Sequence, residues 1–432
     1  MKQALIGAAL ALASVPAWSQ PSPHAAEIDK LADGVEKKVI AWRRDIYQNP
    51  ELGNQEQRTS KLVADHLRAL GLEVRTGVAK TGVVGVLRGG KPGPVVALRA
   101  DMDALPVTDQ TGLPYASKAK AMWMGQETGV MHACGHDGHV AILMGVAEVL
   151  SRMKDRVPGT VKFIFQPAEE GLPGDEVGGA RLMVKEGVLR DPTPEAIFGL
   201  HLSSVFAAGR VGYRPGPAMA SSDTFRIVVR GKQTHGARPW AGVDPVVVAS
   251  QIVLGLQTIA SRQIDVTLEP SIITVGIIRG GNRENIIPDE VEMMGTVRSF
   301  NDDMRKDIHR RMKQTAESIA QAAGAKAETT VNLGYDVTDN NEKLASRAVN
   351  TLRAVAGGSN VFLAPKVTAA EDFSAYQKVI PGFYFNLGAR VKDLPPERWG
   401  ANHSPLFQID ESALKLGVRS LTNLTLDYLE GR

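Results

Sequence analysis

Cys134 and His136 stand two residues apart in the stretch 131–139, which holds three of the chain's nine histidines and its only cysteine. Thiolate, imidazole and carboxylate are the common protein ligands for zinc-like ions. A lone cysteine is more often a small buried apolar group. Here the crowding of polar side chains around it favours a metal-ligating turn. Other ligand-type residues stand beside short apolar runs. Asp101 and Asp103 follow the run 95–99, Glu169 and Glu170 follow 161–166, and His201 follows 196–200. His403 lies in the short loop Asn402-His403-Ser404-Pro405.

Cys134, His136, Glu170, His201 and His403 make five candidate ligands, and one catalytic zinc normally takes three from protein. Five suit two divalent ions close together, a known hydrolytic arrangement that acidifies a water and polarises the substrate carbonyl. Adjacent carboxylates at a strand end repel unless their duties differ. Glu170 is therefore expected to bind metal, and Glu169 to stay free as general base and then acid. Asp101 and Asp103 are expected to orient the ligands, with backbone capping as the other reading. Mixed S, N and O donors suit zinc or manganese, and cobalt or nickel are also compatible.

Such residues must be brought together by the elements around them. Apolar spacing predicts helices over about 27–48 and 55–70, with residues 20–26 loose. Short β-branched runs at 83–87, 95–99, 161–166 and 196–200 alternate with helical patterns at 140–152 and 180–187. Open α/β sheets place their sites at the carboxyl ends of strands. After Gly216 the order changes to β-α-β-β-α-β, with Asp244 and Pro245 opening the first helix and strands near 224–230, 271–278, 291–299 and 326–333. Helix 341–356, strand 382–388 and helix 410–430 return to the first pattern. The expected fold class is α/β: a catalytic domain with a mostly parallel sheet flanked by helices (20–216 and 334–432). A ferredoxin-like α+β lid and dimerisation domain (217–333) is inserted into it.

The chain has 432 residues and a net charge of +3, too small to argue for nucleic acid. Lys2, an apolar run and small residues at positions 17 and 19 read as a signal peptide over 1–19, with a periplasmic or secreted product and no membrane attachment after cleavage. An uncleaved anchor is the alternative. One cysteine forms no internal disulfide, and metal ligation would protect it in an oxidising compartment.

Several motifs together carry a resemblance. They are Arg99-Ala-Asp-Met-Asp-Ala-Leu-Pro106, residues 131–139, Gln166 to Gly171, Gly199-Leu-His201, Ala370-Glu-Asp-Phe373 and Asn402-His-Ser-Pro405. From about residue 36 onward the chain resembles the aminoacylase, hippurate hydrolase and auxin-conjugate amidohydrolase group. That group is a branch of the dinuclear metallopeptidases. The resemblance implies the ligand set above, with Cys134 where related peptidases bridge with Asp, and Glu169 as acid and base. It implies that His235 in the lid stabilises the oxyanion at a partner subunit's site. It further implies that Asn285 and Arg298 bind substrate polar groups; read alone, His235 is a loop histidine and Arg298 equally suits a structural salt bridge. Asp101-Met-Asp103 stands where the peptidases carry a His-x-Asp motif, which fits the amidohydrolase branch.

The expected reaction is metal-dependent hydrolysis of N-acyl amino acids or amino-acid conjugates, by a homodimer or higher oligomer joined through the lid. Dipeptidase or carboxypeptidase action at the same site, and an exported protein that only binds metal or ligand, are the alternatives.

Overall fold

The computed structural model describes residues 22–174 and 176–432. The expected signal peptide at 1–19 lies outside them. Helix α1 (Ala25–Gln48) starts slightly earlier than its apolar period suggests, and α2 is Gln57–Ala69. Strands β1 (Glu73–Val78), β2 (Gly82–Arg88) and β3 (Lys91–Asp101) follow. Then come α3 (His136–Arg152), β4 (Pro158–Gln166), α4 (Gly179–Lys185), β5 (Ala196–Ala207) and β6 (Val211–Tyr213).

The next unit comprises β7 (Asp223–Arg230), α5 (Pro245–Thr258), β8 (Ser271–Gly280), β9 (Glu290–Ser299), α6 (Asp302–Ala322) and β10 (Lys326–Leu333). The chain then returns to the first unit with α7 (Glu342–Ala356), β11 (Val361–Leu363), β12 (Gly382–Arg390) and α8 (Ser412–Leu429).

The main sheet has the order β1-β2-β4-β3-β5-β12-β6-β11. Its centre, β4-β3-β5-β12, is parallel, as the alternating pattern requires. The β1-β2 hairpin joins antiparallel at one edge. The β1 segment is mostly exposed and offers little apolar period, so only β2 is legible in sequence. Helix α3 is buried almost throughout, and it packs between α1 and α8. This explains its run of apolar residues without a polar face. Gly145 permits that packing: a Cβ there would stand 2.8 Å from Val39 Cγ2 and 2.9 Å from Val418 Cγ2.

The inserted unit is an antiparallel sheet of order β8-β9-β7-β10 with α5 and α6 on it, the ferredoxin-like arrangement. It has its own apolar core, including Phe225, Ile252, Met293 and Ile308. Asp244 caps α5 by accepting from Val246 N and Val247 N, and Pro245 occupies the first turn. Among the described residues no helix is long and apolar enough to cross a membrane.

Candidate metal centre and active site

Parallel pairing levels the strand ends. Asp101 pairs with Gln166, Arg99 with Gly199, and His201 with Asn386. Asp101 is therefore the last residue of β3, and Glu169 and Glu170 stand three and four residues beyond the end of β4. His201 lies within β5, which continues past it to Ala207. Helix α3 begins at His136, four residues before the apolar run. Its first turn docks on β5 through Gly138, where a Cβ would stand 2.4 Å from Leu202 Cδ1.

These placements bring all five expected ligands together. Ligand atoms of Cys134, His136 and His201 lie within 4.8 Å of one another, and so do those of Cys134, Glu170 and His403. Cys134 belongs to both groups. Cys134 Sγ is 3.4 Å from His201 Nε2, and His403 Nε2 is 3.3 Å from Glu170 Oε1. Two residues here take positive φ without being glycine: Ala168 at 52° and His403 at 72°. Such strain persists only where surrounding structure fixes it.

Hydrogen bonds decide which histidines are free to ligate. His136 Nδ1 donates to Asp103 O at 2.8 Å, and His201 Nδ1 donates to Leu202 O at 2.8 Å. A carbonyl only accepts, so each ring carries a proton on Nδ1 and turns Nε2 into the cluster. His139 differs. Its Nε2 accepts from Leu202 N at 2.8 Å, and its Nδ1 donates to Asp101 Oδ1 at 2.6 Å. Both nitrogens are occupied, so His139 ties α3 to β3 and β5. Asp103 Oδ2 accepts from Glu170 N at 2.9 Å. Asp103 thus caps a loop amide and orients a ligand through one contact.

The donor set fits divalent cations. His136 Nε2 and Glu170 Oε1 are buried without a hydrogen-bond partner and face each other at 3.8 Å. Burial and the Glu170 carboxylate push the Cys134 thiol up, so a thiolate here needs a cation. The neighbouring Cys134 and Glu170 side chains push His403 up to about 10, while burial pushes His201 down to about 3. Groups that hold protons this unequally around a shared centre are groups for which metals compete with protons.

Glu169 is buried beside this cluster, with Oε2 3.9 Å from His136 Nε2. Burial, then the Glu371 and Glu170 carboxylates, hold it well above the usual carboxylate range. Its backbone carbonyl accepts from Tyr335 Oη. Beneath it lies a polar floor whose roles the residue types alone did not reveal. Arg99 bonds Asp101 Oδ2 at 2.6 Å, Glu371 Oε1 at 2.9 Å, Asp372 Oδ1 at 2.8 Å and Gln166 Oε1 at 2.9 Å. One guanidinium faces three buried carboxylates, and burial pushes Asp372 up to about 7 against Arg99. Asn402 was also missed. Its Nδ2 donates to Cys134 O and Leu202 O, both at 3.1 Å, fixing the His403 loop to the Cys134 turn. The motifs 99–106, 370–373 and 402–405 signalled these residues.

A cavity of about 380 Å³ opens over the cluster. Cys134, Glu169, Glu170, His201 and His403 line it, together with the apolar Phe206, Met219, Pro365 and Val367. His235, Asn285 and Arg298 do not line it. His235 and Asn285 sit on the exposed β-bridge of the inserted unit, where His235 pairs with Ile286 and Asn285 O accepts from Gly236 N. Arg298 lines a separate hollow with Arg181, Asp223 and Tyr335. The structural salt bridge considered for it is absent among the described residues.

Residues 97–427 match the model of peptidase family M20/M25/M40. The chain belongs to that family. It is 41% identical to a thermostable carboxypeptidase 2 of Saccharolobus solfataricus over 93% of this chain and 98% of the relative. It is 40% identical to an N-acyl-L-amino acid amidohydrolase of Geobacillus stearothermophilus over 72% of this chain and 80% of the relative. Among solved structures, it superposes with a TM-score of 0.77 on a Bacillus subtilis protein described as a dinuclear metal binding peptidase of the M20 family. That pair is 34% identical, over 92% of this chain and 99% of that one. The protein is a metal-dependent amidohydrolase of this family.

Proposed function

We propose that this protein hydrolyses the amide bond of N-acyl amino acids, releasing a carboxylic acid and a free amino acid. The carrying observation is the cavity, whose lining joins apolar side chains to the Cys134 cluster and the buried Glu169. An acyl group fits against such side chains, and the amide carbonyl then lies toward the cluster. Cys134, His136, Glu170, His201 and His403 would hold two divalent ions, with Cys134 common to both. Zinc or manganese suits the donors, and cobalt or nickel is compatible. When bound, the ions supply an acidified water and a polarised carbonyl.

Glu169 takes the proton of the attacking water and returns it to the leaving nitrogen. Its buried setting favours the protonated state it must reach midway. Asp103 holds His136 and the Glu170 loop in place, and Asp101 does so through His139. His235 lies outside its own chain's cavity, so it serves the site of a second copy, where it faces the oxyanion. The edge strand β8 exposes Ile272, Ile277 and Ile278, and an open apolar edge suits a homodimer through this lid. The chain is exported, on the strength of residues 1–19. Carboxypeptidase action is the second reading, favoured by the Saccharolobus relative's name.

Glu169→Gln is the deciding variant. Hydrolysis of N-acetyl amino acids should fall about 100- to 10,000-fold while metal content by elemental analysis stays unchanged. Near-wild-type activity would remove Glu169 from the reaction. A wild-type preference for dipeptides over N-acetyl amino acids would favour the second reading.

A further inference from the structure

The cavity over Glu169 has one arginine in its lining, Arg214. This residue follows β6 and is half-buried. It is held from two sides. Its carbonyl accepts from Asn340 Nδ2 at 2.9 Å, and its Nε donates to Ala364 O at 2.7 Å. Both terminal nitrogens remain without a carboxylate partner among the described residues. Among the described residues the buried arginines are paired: Arg43 with Asp137, Arg99 with three carboxylates, Arg305 with Asp223 and Asp336. A partly desolvated cation without a counter-ion is unfavourable, and a planar fork fixed in advance matches a carboxylate.

The geometry points to Arg214 as the residue that receives a substrate carboxylate, making it a specificity determinant of the hydrolysis proposed above. The assignment rests on that reading and sharpens it: preferred substrates carry a free carboxylate within one cavity length of the scissile amide. That carboxylate belongs either to the amino-acid part or to the acyl part, and both present the same anion to the guanidinium.

Three substrates separate the sources: N-acetylmethionine, its methyl ester, and N-succinylmethionine methyl ester, followed by acetate or succinate release. The wild type should show a KM at least about tenfold lower for one or both charged substrates than for the neutral ester, the size of a charge-assisted hydrogen bond. Arg214→Gln should erase that ratio with kcat little changed, and Arg214→Lys should restore part of it. Whichever charged substrate loses its advantage identifies the source. An unchanged ratio in Arg214→Gln, or loss of the ratio in Arg298→Gln instead, would overturn the assignment alone. No release from any substrate by the wild type would overturn the hydrolase reading and the assignment with it. Should Arg214→Gln fail to fold, equal wild-type KM values for charged and neutral substrates would still refute it.

Discussion

At the scale of single residues, the site is defined by buried polar atoms without hydrogen-bond partners. His136 Nε2 and Glu170 Oε1 are buried and unpartnered, while Cys134 belongs to both ligand groups. Removing Cys134 therefore weakens two positions at once. Cys134→Ser is expected to lower metal content below that of the wild type and to lower hydrolysis in parallel. Full occupancy by elemental analysis would exclude Cys134 as a shared ligand. Arg99 acts differently, because it touches three carboxylates and lies below the cavity. Arg99→Met leaves Asp101, Glu371 and Asp372 buried without their cation, and breaking a buried pair costs about 3–5 kcal/mol. A denaturant titration should show an unfolding free energy lower by that amount; a value within error of wild type would mean those carboxylates take up protons instead.

At the scale of elements, the site depends on how closely α3 approaches β5. Gly138 sets that approach, since a Cβ would meet Leu202 Cδ1 at 2.4 Å. Gly138→Ala should push the first turn of α3 away, separating His136 from His201. Metal affinity should drop while the far-ultraviolet circular dichroism spectrum stays the same, and an unchanged affinity would show that the turn can shift as a unit. In the inserted unit, Asp223 on β7 bonds Arg305 and His309 on α6. Burial alone would raise Asp223, but hydrogen bonds from Arg305 and His309 override it and hold its carboxyl at about 2. Its folded value lies below the ordinary 3.8, so this contribution is complete above about pH 4 and is lost as pH falls towards 2. Thermal melts between pH 2 and 5 should show a smaller pH dependence for Asp223→Asn than for the wild type. A parallel pair of curves would place the acid sensitivity elsewhere.

At the scale of the whole molecule, two cores carry two duties. The larger, built on the eight-stranded sheet, holds the ligand loops, and the smaller carries His235 beyond its own cavity. If a second copy completes the site, disrupting the β8 edge should reduce catalysis without touching a ligand. Ile278→Glu is expected to give a monomer by sedimentation, with kcat reduced and metal content preserved. Full activity in a verified monomer would restrict His235 to a surface role.

Residue types and spacing alone made the five clustered candidates, Glu169 beside them and the α/β class legible, because metal chemistry needs particular donors and strand ends deliver them at intervals. The lid's β-α-β-β-α-β order was equally plain, since strand and helix periods differ and Asp244-Pro245 marks a helix start. Sequence left three matters open that only packing decided. The first was how the histidines are held: His136 and His201 each spend Nδ1 on a backbone carbonyl and turn Nε2 into the cluster, whereas both nitrogens of His139 are taken. The second was the Arg99 floor, formed from segments more than two hundred residues apart, for which no local period exists. The third was the fate of the arginines, where Arg298 falls outside the cavity and Arg214 within it. Chain order fixes which chemical groups are present, but the free valence of a nitrogen or guanidinium depends on its neighbours in space. Those neighbours are set by strand register and by the close approach of α3 to β5.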